Sequence, residues 1–552
     1  MKDYTKKQKI LIILGVAVFI LIGSGLTYAG LMWATSNPIN IGLTSGCFEI
    51  NYTPGGAINN ANVEVMNEST LISNNKFTIT DGIALTYANV GIKSTCTIEG
   101  YGSLYLNVTN LSNAFTTGSS KGSLKYAILN NTSSSTNLTV AGLKGQSFDI
   151  IKTGTITSTG TVNILTKQLS NTSQYKYLIV FYIDGSKIGN DVIGASFAGN
   201  ISADAHQGKL DLAKETLNYL KSLNSTITLA NDTPDFTKVS GNNGGKGDGT
   251  KGIYKAEDDL GTSYYFRGAV DNNYVKFANF YWRIIRINGD GTIRMIYAGT
   301  SAHTNGESET DSYISQTAYN SSYNDNTYVG YMTGSTGATT YANTHSNTNN
   351  STIKGVIDTW YKTNIVDKGY SSYVADAIYC NDRSIANDSA TNTMLTKANS
   401  SWTNTGLGYG TNVTAYGGFK RNWVDRMPSL KCPNNNDKFT KSSTLGNGKL
   451  TYPVALITSD EIAYAGGSAY NYNTSSYIAN TEFYLHTPSY YYWTLTPWAF
   501  AGGLSIVGGW YASGRLGSDY VYITNGARPA VSLSSVAISG GNGTISNPFT
   551  VG

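Results

Sequence analysis

Charge is scarce in this sequence: Asp, Glu, Lys and Arg make up 13% of its 552 residues, about half the share of an ordinary soluble protein. With Lys+Arg at 39 and Asp+Glu at 35, the formal net charge is +4. A surface of this kind has little electrostatic reach, which excludes nucleic-acid backbone binding as the main task. Proline occurs 10 times and the 60 glycines follow no Gly-X-Y period, so a collagen-like chain is excluded. The four histidines, His206, His303, His345 and His486, occupy separate segments and none stands in a catalytic motif. In a chain this rich in Ser and Asp, a Ser/His/Asp combination drawn from sequence alone carries no weight. The four cysteines include no Cys-x-x-Cys, so no clustered metal-ligand set is present, and no phosphate-binding Gly-x-x-x-x-Gly-Lys-Ser/Thr loop occurs. No cofactor is implied. Low charge does not mean disorder, because 41 Tyr, 16 Phe and 8 Trp raise the aromatic share to 12%.

The length predicts two or three domains, each able to bury a core. At the N-terminus Lys2, Lys6, Lys7 and Lys9 precede an uncharged stretch from Ile10 to Trp33, long enough to cross a bilayer. The lysines should remain cytoplasmic, which places everything after Trp33 outside. Residues 1–35 are therefore read as a cytoplasmic tip and a transmembrane signal anchor, with the C-terminal part extracellular. Residues 26–29 also fit a signal-peptidase site, and cleavage there would make the chain secreted. The apolar continuation through residues 30–34 and the interfacial Trp33 favour an uncleaved anchor. The four lysines less Asp3 contribute +3 of the net +4, so the exported part is nearly neutral.

From residue 40 to 206 the pattern is all-β. Phe48-Glu49-Ile50-Asn51-Tyr52, Lys76-Phe77-Thr78-Ile79-Thr80, Ser103-Leu104-Tyr105-Leu106-Asn107-Val108 and Tyr177-Leu178-Ile179-Val180-Phe181-Tyr182-Ile183 are short, β-branched or aromatic, and separated by Asn, Gly and Ser clusters. The spacing predicts an antiparallel β-sandwich of jelly-roll type. Thr44-Ser45-Gly46-Cys47-Phe48-Glu49-Ile50 and the closing Gly194-Ala195-Ser196-Phe197-Ala198-Gly199-Asn200-Ile201 resemble the ends of camelysin and biofilm-matrix fibre proteins. That resemblance implies a surface sandwich. Camelysin's protease activity is not carried over, because this chain has no zinc-ligand set.

Residues 207–260 are expected to hold one helix and a linker. Leu210, Ala213, Leu217 and Leu220 recur at helical spacing within 209–223, and the Gly-rich run 240–252 is expected to be a flexible tether with a domain boundary near residue 250. The domain from 261 to 552 opens with a hairpin: residues 280–287 and 292–297 flank Asn288-Gly289-Asp290-Gly291, a tight-turn composition. A calcium loop is excluded there, since Gly299 stands where an EF-hand needs glutamate. A second helix is predicted over 351–365, capped by Asn350 or Ser351, with Ile353, Val356, Ile357 and Trp360 as its core stripe.

The ordered blocks Tyr281-Trp282-Arg283-Ile284-Ile285, Ser351-Thr352-Ile353-Lys354, Leu456-Ile457-Thr458-Ser459-Asp460-Glu461, Tyr492-Trp493-Thr494-Leu495-Thr496-Pro497 and Gly526-Ala527-Arg528-Pro529-Ala530-Val531 resemble an uncharacterised domain of exported bacterial proteins. That domain is related to the C-type-lectin-like fold of formylglycine-generating enzymes, so the resemblance implies an α+β, C-type-lectin-like head. Those enzymes use a cysteine pair near the domain's end, and no cysteine follows Cys432 here. The calcium triplets of sugar-binding C-type lectins are also missing, so calcium-dependent sugar capture is not implied. Cys380-Asn381-Asp382-Arg383-Ser384 reads as a hydrogen-bonded loop that fixes the fold.

The cysteines divide by domain. Cys47 with Cys96 and Cys380 with Cys432 are expected to form disulfides outside the cell, each worth about 3–4 kcal/mol for loops of this length. The best candidate binding surface is the segment 490–524, where Tyr490, Tyr491, Trp498, Trp510, Tyr511, Tyr520 and Tyr522 stand among Gly, Ser and Ala. Rigid amphipathic aromatics spaced by small residues are the composition of recognition surfaces, although a loop-rich domain also draws its core from such residues. Three readings compete. The first is a non-catalytic, membrane-anchored bacterial surface protein, an adhesin or ligand-binding protein whose head meets an extracellular protein or glycan. The second is a structural biofilm-matrix or fibre-forming protein. An exported enzyme ranks last, because no catalytic constellation is evident.

Overall fold

A computed structural model describes residues 48–61, 63–94, 100–169, 174–207, 210–535 and 537–551. The expected anchor, the signal-peptidase site and the Cys47–Cys96 pair lie outside the described residues. No described helix is long and apolar enough to cross a membrane. The fold is β-rich, with 37% strand and 18% helix, against roughly 20–25% strand in an average globular protein. The chain forms two compact units, Met1–Leu210 and Asp211–Gly552.

The first unit is built from β1 (Phe48–Pro54), β2 (Ile58–Ala61), β3 (Ala84–Ser94), β4 (Gly100–Leu111), β5 (Leu124–Asn130), β6 (Ser147–Thr155), β7 (Gly160–Leu169), β8 (Gln174–Asp184) and β9 (Phe197–Gln207). One antiparallel sheet runs β1-β3-β8-β5-β6 and a second runs β7-β4-β9-β2. Alternate residues of both sheets fill one core: Val90, Ile128, Ile179 and Phe181 from the first meet Leu104, Leu106, Val108, Ile164 and Ile201 from the second. The other face of β8 is also covered. Leu178, Val180 and Tyr182 pack with Leu71, Phe77, Leu143 and Phe148 in a separate cluster. A strand buried on both faces needs apolar residues at every position, which is why residues 177–183 read as a continuous run instead of an alternating one.

The second unit begins with helix α1 (Leu212–Leu223), capped by Asp211, whose carboxylate accepts from Lys214 N at 2.8 Å. Its Ala213, Leu217 and Leu220 belong to the main core of this unit. The run 240–252 corrects the expectation of a flexible tether. Ser240 and Thr250 are buried, and Asp248 forms a buried ion pair with Arg267 at 2.8 Å. Gly241, Gly244, Gly245 and Gly249 all have φ between +66° and +82°, so these glycines supply left-handed turns to an anchored loop and not slack. The division between units accordingly falls at residue 210 and not near 250.

Two sheets organise the rest. The first joins β10 (Gly252–Glu257), β11 (Thr262–Arg267), β12 (Tyr274–Phe277), β13 (Phe280–Ile287) and β14 (Ile293–Gly299). The hairpin β13–β14 is closed by Asn288 N donating to Thr292 O at 2.8 Å, with Gly291 at φ +85°. The second centres on β17 (Tyr492–Ala501), buried along its whole length and flanked by β15 (Ser315–Ala318), β16 (Thr414–Tyr416), β18 (Leu504–Tyr511), β19 (Arg515–Tyr520) and β20 (Thr524–Ala527). The first sheet is completed by β21 (Ala530–Leu533) against β14, and by β22 (Phe549–Val551), parallel to β12, which brings the end of the unit beside one of its early strands. Helix α2 (Thr352–Tyr361) is capped by Ser351 and buries Ile353 and Ile357, whereas Val356 and Trp360 are only partly covered and line an open groove with Ile314. Helix α3 (Ser459–Ala465) starts on a capping box between Thr458 and Glu461.

Candidate functional site

Strand β18 ends on Trp510 and Tyr511, and neighbouring strand residues point to opposite faces. Trp510 turns inward, fully buried against Phe483 with ring centroids 4.8 Å apart. Tyr511 turns outward and stands opposite Arg515 in the β18–β19 register. The Arg515 guanidinium lies 4.4 Å from the Tyr511 ring centroid, 5.0 Å from that of Tyr477 and 5.4 Å from that of Tyr470. Tyr470 in turn packs edge-on against Tyr472 at 4.9 Å. One cation thus sits among three tyrosine rings, an arrangement worth about 0.5–1 kcal/mol per contact at exposed sites. A Cβ at Gly517 would come within 1.7 Å of the Tyr511 ring. Glycine there lets the ring lie across β19, where its hydroxyl donates to Ser518 O at 3.0 Å.

Most of the aromatic residues singled out in the sequence are elsewhere. Tyr490, Tyr491, Trp498 and Trp510 are buried, which corrects their assignment to a ligand-facing surface. Tyr490 packs edge-on against Tyr313 at 4.4 Å and shares a hydrogen bond with Ser312. Burial pushes its hydroxyl up to about 12. Tyr491 lies over Gly509 and meets Tyr511 at 4.5 Å. Trp498 is walled in by Phe419 at 4.5 Å and Trp402 at 6.2 Å. Only Tyr511, Tyr520 and Tyr522 reach the surface. The Tyr520 and Tyr522 rings are parallel to within 1° and Tyr522 meets Tyr323 at 4.8 Å, a smaller patch with no cation over its rings among the described residues. The residues that complete the larger cluster, Tyr470, Tyr472 and Tyr477, alternate with Asn, Thr and Ser in 470–477. That composition is the same signal, placed upstream of the segment that drew attention.

A second candidate is the charged cleft beside Cys380, lined by Asp258, Arg286, Arg294, Arg421, Asp460 and Glu461 among others. Arg286 bridges Asp258 at 2.8 Å and Glu461 at 3.1 Å, Arg294 meets Glu461 at 2.7 Å, and Arg421 chelates Asp460 at 2.8 and 3.2 Å while also pairing with Asp382. Its interior offers about 30 Å³ to water-sized molecules, room for about two waters. Each carboxylate has its cation, so the cleft is a structural network. The neighbouring loop behaves likewise: Arg383, fully buried, bonds Asp437 at 2.7 Å and Asn347 at 2.9 Å, and Asn381 donates to Leu495 O at 2.7 Å. Cys380 and Cys432 form a disulfide with Cα atoms 5.6 Å apart.

The described histidines of this unit have structural partners. His345 is buried and bonds Gly408 O at 2.9 Å; burial and then Arg383 hold its pKa well below the usual value. His303 sits between Glu307 at 3.2 Å and Asp311. Burial lowers its pKa, but the bonds to both carboxylates outweigh it and the net shift is upward. No group of three or more His, Cys, Asp or Glu side chains among the described residues forms a metal-binding cluster. No family model matches the chain, and no curated protein does.

Proposed function

We propose that this is a non-catalytic, membrane-anchored bacterial surface protein whose second unit binds an extracellular ligand, with the Tyr470/Tyr477/Tyr511/Arg515 cluster as the contact surface. The observation that carries the reading is that cluster: four large side chains, Tyr477 among them 42% exposed, held on the outward side of a hairpin whose inward side is anchored by Trp510. Pre-organised aromatics of this kind supply contact area at low entropic cost. Recognition is favoured over catalysis because the buried acids around Arg286 and Arg421 are each held in ion pairs. The first unit is read as a jelly-roll-like stalk and the second as a C-type-lectin-like head. The parallel meeting of β12 and β22, which closes the second unit on itself, supports the latter.

Placement outside the cytosol rests on the apolar stretch after Lys9 and on the Cys380–Cys432 disulfide, a bond that persists in oxidising compartments. The test of function is retention of the full chain on an array of saccharides and surface proteins. Tyr477→Ala with Tyr511→Ala should abolish retention while the unfolding midpoint stays close to wild type. Undiminished retention would remove the cluster from the contact surface.

A further inference from the structure

We infer that the Arg515 cluster is a subsite for a carboxylate-bearing saccharide, an inference that rests on the recognition reading above. Arginine carries five N–H donors in a planar fork. Among the described residues no hydrogen-bond acceptor or carboxylate meets the Arg515 side chain, which lies over three tyrosine rings. Asp519, on the same strand, accepts instead from Asn525 at 3.1 Å and from Tyr520 N at 2.9 Å. Ring contacts stabilise the guanidinium through its faces and leave its edges unsatisfied, and those edges match the two oxygens of a carboxylate.

The surroundings select a sugar acid over an acidic peptide. A peptide would add most of its affinity through main-chain bonds along a strand edge, and the edge of β19 at Arg515 is occupied: Leu516 N donates to Ser468 O at 2.9 Å and Asn480 N to Gly514 O at 2.8 Å. Its other edge is paired with β18. What remains is recognition by side chains. The exposed Tyr477 offers a ring face for the apolar side of a pyranose. Tyr470, Asn471 and Tyr472 in the same loop are each half-buried, and they carry hydroxyl and amide groups of the kind that bond sugar hydroxyls. Arg515, which has no carboxylate partner among the described residues, discriminates an acidic sugar from a neutral one, and Lys397, bonded to Asn473 of the same loop, adds a second cation.

The experiment is calorimetry on the full chain with an oligogalacturonide, its methyl ester and an oligoglutamate of similar length. The acid should bind at least about tenfold more tightly than the ester, the effect expected of a charge-assisted pair. Arg515→Gln should bring the acid down to the level of the ester, and Arg515→Lys should fall between, since an ammonium lacks the planar fork. Arg515 is half-buried and its ring contacts are modest, so a cooperative unfolding transition within a few degrees of wild type in both variants will show that the fold is kept. Equal binding of acid and ester, an unaffected Arg515→Gln, tighter binding of the oligoglutamate, or no binding of the acid would each overturn the assignment. If the array shows retention of another ligand through Tyr477 and Tyr511, the recognition reading survives that failure; if it shows none, both fall.

Discussion

The indole N–H of Trp510 donates to Nδ1 of His486 at 3.3 Å inside the core. A residue whose composition and neighbours suggest a binding surface is thus half of a buried polar pair, while Tyr511 beside it carries the exposed role. Trp510→Ala should therefore destabilise the second unit by about 3–5 kcal/mol, and Tyr511→Ala by much less, since Tyr511 is only half-buried. Thermal unfolding of the two variants checks this. Equal losses would place both residues in the core.

That same bond needs a neutral imidazole. Burial lowers the pKa of His486 to about 4, below its unfolded value of about 6.5. The unfolded chain then binds more protons between these values, so the contribution of His486 to stability is intact above pH ~6.5 and falls as the pH drops towards 4. His303 has the opposite sign: its raised pKa gives stability that is complete below about 6.5 and lost as the pH rises through the folded value. Denaturation midpoints from pH 7 to 4 should fall more steeply for wild type than for His486→Gln, which keeps an acceptor but cannot titrate. Parallel curves would refute the assignment.

Glu461 makes two kinds of bond at once. One oxygen accepts from Thr458 N at 2.9 Å as part of a capping box, and the other meets Arg286 and Arg294. Glu461→Gln should cost about 3–5 kcal/mol, because Arg294 is left buried with no carboxylate in contact. The Glu461→Gln and Arg294→Met double variant should be less destabilised than the two single losses added together. Additive losses would show that the pair is not coupled.

Gly517 has the strictest steric requirement in the cluster. Gly517→Val should push the Tyr511 ring off β19, detach its hydroxyl from Ser518 O and weaken ligand binding together with any Tyr511 variant. The check is a double-variant comparison: Gly517→Val added to Tyr511→Ala should change affinity no further. An additional loss would mean that Gly517 acts on binding by another route.

How far the sequence could be read follows from which interactions are local. The β13–β14 hairpin is legible because Asn288-Gly289-Asp290-Gly291 encodes its own turn, and α1 is legible from the spacing of Ala213, Leu217 and Leu220. The uninterrupted apolar run 177–183 identifies a strand, though not that two separate cores cover it. The Gly-rich loop 240–252 was opaque because composition alone does not separate glycine used for slack from glycine at positive φ. Its anchors, Asp248 on Arg267 and Ser240 beside Asn480, are tertiary. The site itself joins β18, β19 and the loop 470–477, and nothing local links Arg515 to Tyr470 or Tyr477. Strand alternation does show from sequence that Trp510 and Tyr511 cannot face the same way, and that signal would have halved the candidate surface.

Hydroxyl-radical footprinting of the full chain, with and without a bound saccharide, reports whether ligand meets the chain at the Arg515 cluster. Protection is expected at Tyr470, Tyr477 and Tyr511, with Tyr323 and Tyr522 unchanged. Protection along the α2 groove at Val356 and Trp360, or at Tyr323 and Tyr522 in place of the cluster, would contradict it.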